Sequence, residues 1–597
     1  MRHVELFETQ GMACEIDGVL DGWRLAGSAV SPEAGLHLFT WKLVAAEARA
    51  LPPLKLRFSV PQQDIQVKWR PGYGKSHHYF QSWWEGGKIP TNLALNAPVF
   101  SYLNLEGENR LTLAFSDAMR QVLTTTGPTE AKGVIVELAL FSVPEAPAAA
   151  VEFALRIDRR PRHFSEALRG VSDWYAAMPE YAPAEVPAAA GEPMYSTWYQ
   201  YQRDVSAAKL ERELEYIAAL GMKTIILDDG WQMSGDYPEG EYYSRCGTWM
   251  PAADKFPDLT AHVKKFHDHG IRYLMWFAVP FVGTHEAVYG QFKNQLLYAG
   301  APGSFLQNAC VLDPRFPEVR EYTIQVYERA VREWGLDGLK LDFIDSFQFE
   351  AGKDPAVAEN YAGRDIKSLP AAVDRLLTDA MRRLKALRPD ILIEFRQNYT
   401  GPAIRKYGNI FRAADCAMDL LENRVRTIDL RLLAGGTATH SDMLIWSPAD
   451  RAELAALQIL NVIFSTPQLS VELASLSDDH RRMLKHWLTF CSDHQETLVK
   501  GRLVPEHPEL SYPVVTAFGQ DEIITAVYES GRLVQAHPGK RNLIINATHR
   551  DEILLDRHGV SGEISAFDVY GQKVCATPAG EGGINVKVPP SGYLQFG

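Results

Sequence analysis

Cysteine is scarce and scattered. The six residues Cys14, Cys246, Cys310, Cys416, Cys491 and Cys575 form no Cys-x-x-Cys pair and no framework spacing. That usage points to a reducing cytoplasm, with neither structural disulfides nor zinc. No apolar run approaches the roughly 20 residues of a membrane span. The opening stretch Met1-Arg-His-Val-Glu-Leu-Phe-Glu has no apolar core of a signal peptide. Basic runs and acidic tails are also missing, and the net charge of −13 is spread along the chain. Nucleic acid and membrane are therefore not expected as partners. Internal repeats and low-complexity tracts are lacking too.

What remains is an ordinary soluble composition, 46% hydrophobic and 23% charged, in 597 residues. That length is too great for one core, so several domains are expected. Leu54–Val60 and Ile65–Trp69 alternate apolar and polar side chains, as half-buried strands do. Leu111–Phe115 and Val134–Phe141 continue the pattern. Residues 1–178 read as an N-terminal β-sandwich with a linking helix over Phe164–Met178. Within it, Gly74–Glu85 crowds aromatic and imidazole groups into a loop, which predicts packing against a neighbouring domain, with cover for a sugar ring or contact with another subunit as the alternatives.

After an Ala- and Pro-rich stretch, residues 194–500 alternate short apolar strands with amphipathic helices, the pattern of a parallel sheet. Candidate strands are Tyr195–Tyr199, Thr224–Leu227, Tyr273–Phe277, Gly338–Asp342, Ile391–Phe395, Ile410–Ala414, Met443–Trp446 and Ile459–Phe464. Eight such units predict a (β/α)8 TIM barrel. Residues 501–597 return to β and predict a C-terminal sandwich, giving a multidomain α/β protein.

Acidic residues fall at the carboxyl ends of candidate strands two, four and six: Asp228 with Asp229, Asp342, and Asp415. That end of a barrel is where enzymes of this fold keep their chemistry. Asp342 and Asp415 are about two βα units apart, so their carboxyl groups can approach across the axial cavity. Paired carboxylates around a bound ring suit glycoside hydrolysis. Trp198, Trp231, Trp249 and Trp276 suit stacking on sugar faces, although tryptophan is also ordinary core.

At these residues the sequence resembles retaining α-galactosidases, glycoside hydrolase family 36 in particular. Leu227-Asp-Asp-Gly-Trp231 looks like the family's galactose-recognition segment. Gly247-Thr-Trp249 with Lys255-Phe-Pro257 looks like its Gly-Asp-Trp and Lys-Phe-Pro segments. Lys340-Leu-Asp342 resembles its Lys-Trp-Asp, and Ala414-Asp415, with Asp419 behind it, resembles the segment carrying the acid/base. The resemblance implies Asp342 as nucleophile, Asp415 as acid then base, and Asp228, Asp229 and Lys340 as ligands of sugar hydroxyls, with Trp249 stacking. It implies no metal and no organic cofactor. Two segments depart from it. Trp276-Phe-Ala-Val-Pro280 lacks the family's glutamates, and Glu394-Phe-Arg-Gln-Asn-Tyr-Thr-Gly401 replaces its small-residue loop after strand five. Arg396 and Asn398 in that loop suit an anionic or decorated 2-position, unless Arg396 pairs with a local acid such as Glu394 or Asp419. His440-Ser-Asp442 lies near the same mouth.

The expected activity is hydrolysis of terminal α-galactoside-like residues of a small saccharide by double displacement. Other α-glycoside specificities (α-N-acetylgalactosaminide, α-glucoside, an anionic sugar), transglycosylation and an inactive carbohydrate-binding protein are the alternatives. A homo-oligomer is compatible with the sequence.

Overall fold

The computed structural model of this chain describes residues 2–72, 80–234, 241–349, 355–396, 401–559, 562–578 and 582–597. Its N-terminal region is a sandwich of two six-stranded antiparallel sheets. Alternation makes it so: in Leu54–Pro61 every second side chain is buried, and Trp41, Phe39, Leu56, Val136 and Phe153 meet between the sheets. Residues 74–79 of the aromatic loop lie outside the described residues. The rest of that loop turns to its own sandwich, with Trp83 N donating to Pro128 O at 3.3 Å and Phe80 edge-on to Tyr102. The helix Phe164–Ala176 follows, its N-cap His163 accepting from Ser165 N.

The eight barrel strands are β1 (Met194–Ser196), β2 (Thr224–Leu227), β3 (Arg272–Ala278), β4 (Gly338–Asp342), β5 (Leu392–Arg396), β6 (Ile410–Arg412), β7 (Ala438–His440) and β8 (Gln468–Leu469). All neighbouring pairs are parallel, β8 pairs with β1, and a His440–Thr466 bridge closes the ring between β7 and β8. Outside them run α1 (Ala207–Leu220), α2 (Leu259–Asp268), α3 (Pro317–Trp334), α4 (Leu369–Leu387), α5 (Leu420–Ala434), α6 (Ala452–Leu460) and α7 (Asp478–Asp493). Among its described residues, unit five has a 3-10 turn, Ile404–Lys406, and no α-helix.

Two expected strands are corrected. Met443–Trp446 is irregular backbone with one bridge at Leu444, and Ile459–Phe464 is the end of α6 and the turn after it. The true β7 and β8 are three and two residues long, too short to show periodicity. α6 is buried on nearly all sides, so its apolar run mimics a buried strand.

At the base of β4 the backbones leave no room for a side chain. A Cβ on Gly338 would stand 2.2 Å from Leu392 O on β5. The C-terminal region is a seven-stranded sheet facing a three-stranded one, with parallel pairs in both. All three regions meet at one buried point. Trp69 Nε1 (3.1 Å) and Tyr512 OH (2.6 Å) both donate to Asp429 Oδ1 on α5.

Candidate active site

Residues two apart on a strand point to the same side, so Lys340 and Asp342 on β4 share a face, as do Glu394 and Arg396 on β5. Register sets Lys340 beside Trp276 on β3 and Glu394 on β5, and Arg396 beside Arg412 on β6. The result is a set of charged side chains converging at the carboxyl end of the barrel.

Asp342 is 6% exposed. Its Oδ2 accepts from Trp276 Nε1 at 3.0 Å, and its Oδ1 from Arg396 Nε at 2.6 Å and Phe343 N at 2.7 Å. The Arg396 guanidinium also lies over the Phe343 ring, 5.2 Å from its centroid. Arg396 therefore pairs with Asp342 itself and not with Glu394 or Asp419. Asp419 caps α5 by accepting from Glu422 N. Asn398 lies outside the described residues.

Asp228 and Asp229 are both buried past the end of β2. Asp228 Oδ2 receives Lys340 Nζ at 2.5 Å, and its Oδ1 receives Asp229 N at 2.9 Å. Asp229 accepts from Gln232 Nε2 and the Tyr242 hydroxyl. Burial pushes the Asp229 carboxyl up to about 7, against the pull of the Gln232 hydrogen bond and with help from Asp228.

Asp415 sits three residues past β6, with a side chain 54% exposed, and accepts from Arg412 Nη1 at 2.9 Å. Partial desolvation raises this carboxyl. Arg412, Arg396 and Lys340 outweigh that and hold it below the usual carboxylate range, with Asp342 opposing them. The same Nη1 donates to buried Asp442 at 2.5 Å, which also accepts from Tyr199 OH at 2.6 Å and Cys416 N. Sequence reasoning passed over Arg412 and Tyr199. The available signal was an arginine ending the apolar strand Ile410-Phe-Arg412, where a buried charge needs carboxylate partners.

Beneath this layer Glu394, fully buried, accepts from Gln468 Nε2, which also meets His440 Nδ1. His440 Nε2 donates to Ala190 O, and burial lowers its pKa to about 4, so the ring is neutral and structural.

The tryptophans divide. Trp249 and Trp276 are 6% and 2% exposed and pack edge to face with each other, beside Trp231 and Phe277. Their rings form a wall behind the carboxylates, and Trp276 adds its N–H to Asp342. Trp198 opens a short helical turn after β1 and is half-buried. Several non-glycine residues in the loops of this face have left-handed backbones, among them Gln202, Trp249, Asn308, Phe343 and Met418, with φ between 44° and 61°. Such strain persists where surrounding structure fixes it, and functional loops are its usual place.

Residues 189–391 match the melibiase family model. A probable α-galactosidase C from Aspergillus flavus is 28% identical over 160 residues, 25% of this chain and 21% of that protein. An α-galactosidase 2 from Pediococcus pentosaceus is 25% identical over 207 residues, 33% of this chain and 27% of that protein. The chain thus aligns with a quarter or so of the length of these relatives. In fold, the whole chain superposes on 86% of a family 36 α-galactosidase from Geobacillus stearothermophilus in complex with 1-deoxygalactonojirimycin, at TM-score 0.65 and 14% identity. An α-galactosidase from Lactobacillus brevis gives 0.63 at 14% identity over 85% of that chain. Residues 189–391 are thus similar to the melibiase family, and the whole chain has the fold of the family 36 α-galactosidases.

Proposed function

We propose that this protein is a retaining exo-α-glycosidase that hydrolyses terminal α-galactoside-like residues, with Asp342 as nucleophile and Asp415 as acid/base. The observation that carries the reading is the three-point hold on Asp342. Trp276, Arg396 and the Phe343 amide fix the position of a buried carboxylate at the end of β4.

In the first step an Asp342 oxygen attacks the anomeric carbon, and the departing glycosidic oxygen takes the proton of Asp415. The bond to the aglycone breaks as the ester to Asp342 forms. In the second step Asp415, now ionised, removes a proton from water. That water attacks the same carbon and returns Asp342 as carboxylate. The exposure of Asp415 suits exchange of aglycone for water. Asp228, Asp229 and Lys340 supply acceptors and a donor for ring hydroxyls, and Trp249 and Trp276 line the apolar side. The relatives' names and the complex of a family 36 enzyme with raffinose support a galactose-like ring in a small oligosaccharide.

A 2-fluoro-α-galactosyl fluoride that traps the intermediate should add one sugar mass to the intact protein, on the peptide containing Asp342. Asp342→Ala should remove all turnover of aryl α-galactosides while leaving the unfolding temperature within a few degrees. Label on another carboxylate, or turnover by Asp342→Ala, would sink the assignment.

A further inference from the structure

A cavity of about 570 Å³ lies between the first turns of α5, the outer side of α6 and the C-terminal sandwich. It is separate from the carboxylate cluster. Leu454, Leu457 and Ala547 give it an apolar floor, and Gln458, Asn461, Ser530 and Thr548 give it hydroxyl and amide edges.

Its most unusual lining group is Arg424, 7% exposed. Nε donates to Ser511 O at 3.0 Å and Nη1 to Asn461 Oδ1 at 2.9 Å, while the guanidinium lies 4.2 Å above the centre of the Tyr528 ring. Those contacts fix the plane of the fork. Nη2 makes no hydrogen bond among the described residues, yet it is not sealed in the core. Nor does any carboxylate among them come within ion-pair distance of this arginine. Burial lowers its pKa to about 10, so it stays charged at neutral pH. Buried Arg431 shows the contrast, because it spends its donors on the carbonyls of Phe464, Leu498 and Gly501.

A buried cation with no carboxylate in ion-pair contact is costly, and this one, which Glu529 supports only at longer range, opens onto a cavity of saccharide size. The two carboxylates of the lining are engaged elsewhere. Glu529 is paired with Arg532, and Asp450 Oδ2 accepts from Ser447 N. Arg550 adds positive charge at the exposed rim.

We propose that this cleft is a second binding site, for a monosaccharide-sized anion in which one carboxylate or phosphate meets Arg424 Nη2 and the hydroxyls meet Gln458, Ser530 and Thr548. A planar guanidinium backed by an aromatic ring suits either oxyanion, and the apolar floor suits the ring face of a sugar.

Calorimetric titration of the full chain with glucuronate, glucose 6-phosphate and glucose tests it. At least one of the two anions should bind at least about tenfold more tightly than glucose, the scale of a charged hydrogen bond. That affinity should be unchanged in Asp228→Asn and should fall about tenfold in Arg424→Met. Arg424 also ties α5 to the C-terminal region, so its replacement could impair folding. Ser530→Trp, at the exposed rim, should block the cleft without that risk. The proposal is overturned if neither anion binds in the millimolar range, or if glucose binds as well as they do. It is equally overturned if Ser530→Trp leaves the affinity unchanged, or if Asp228→Asn abolishes it and so moves the binding to the barrel mouth.

Discussion

Asp342 and Asp415 are both carboxylates, but their surroundings differ, as the two roles proposed for them require. Asp342 is buried and held at both oxygens, whereas Asp415 stands half in solvent against Arg412. Because cations hold Asp415 below the usual carboxylate range, its proton is scarce at neutral pH. A general acid must be protonated, so activity that depends on it falls as pH rises through its pKa. For a methyl α-galactoside, kcat/KM should therefore peak at acidic pH. For a dinitrophenyl α-galactoside, whose leaving group needs no proton, it should stay high to a higher pH. Coincident profiles would remove Asp415 from the acid role. Arg396 gives a second test. Its contact is with the proposed nucleophile, so Arg396→Ala should cost about 2–3 kcal/mol of transition-state stabilisation on neutral and anionic substrates alike. A loss confined to anionic substrates would show that the side chain leaves Asp342 to read the substrate.

Strand β4 is where local geometry and chemistry meet. Gly338 lets it lie against β5, and Phe343 takes the left-handed conformation that turns its amide onto Asp342. Gly338→Ala would drive a methyl group into Leu392 O, separating the two strands that carry Asp342 and Arg396. The variant should lose about 2–3 kcal/mol of stability, in line with other overpacked sites, seen as a lowered unfolding temperature with a parallel loss of activity. The long strands and helices were legible because their periodicity runs over many residues. β7 and β8 were not, since closure of the ring, and not apolar length, makes Ala438–His440 and Gln468–Leu469 strands.

At the scale of the whole molecule, one acceptor in the barrel joins both flanking β regions. Trp69, Asp429 and Tyr512 are each no more than 2% exposed, and two donors share Asp429 Oδ1. Trp69→Phe and Tyr512→Phe should each destabilise by about 1–2 kcal/mol, and the double variant by less than their sum, because each donor partly satisfies the acceptor when the other is gone. Denaturant unfolding of the four proteins measures the difference, and strict additivity would mean that the node does not couple the regions.

The sequence by itself determined the order of architectures and the acidic residues at the strand ends. Period-two alternation and βα punctuation are local properties, and an aspartate closing an apolar run is visible without coordinates. It also marked Lys340-Leu-Asp342 and Asp228-Asp229 as neighbours in chemistry. Only the tertiary structure decided who meets whom. Arg396 sits on Asp342 because β4 and β5 are adjacent in register, and Arg412 joins Asp415 to Asp442 because β6 and β7 are. Trp249 and Trp276 became a buried wall because the loop after β2 lays Trp249 against Trp276 on strand β3. Contacts between residues tens of positions apart depend on how the ring closes, and closure is a property of eight strands together that none of them carries alone.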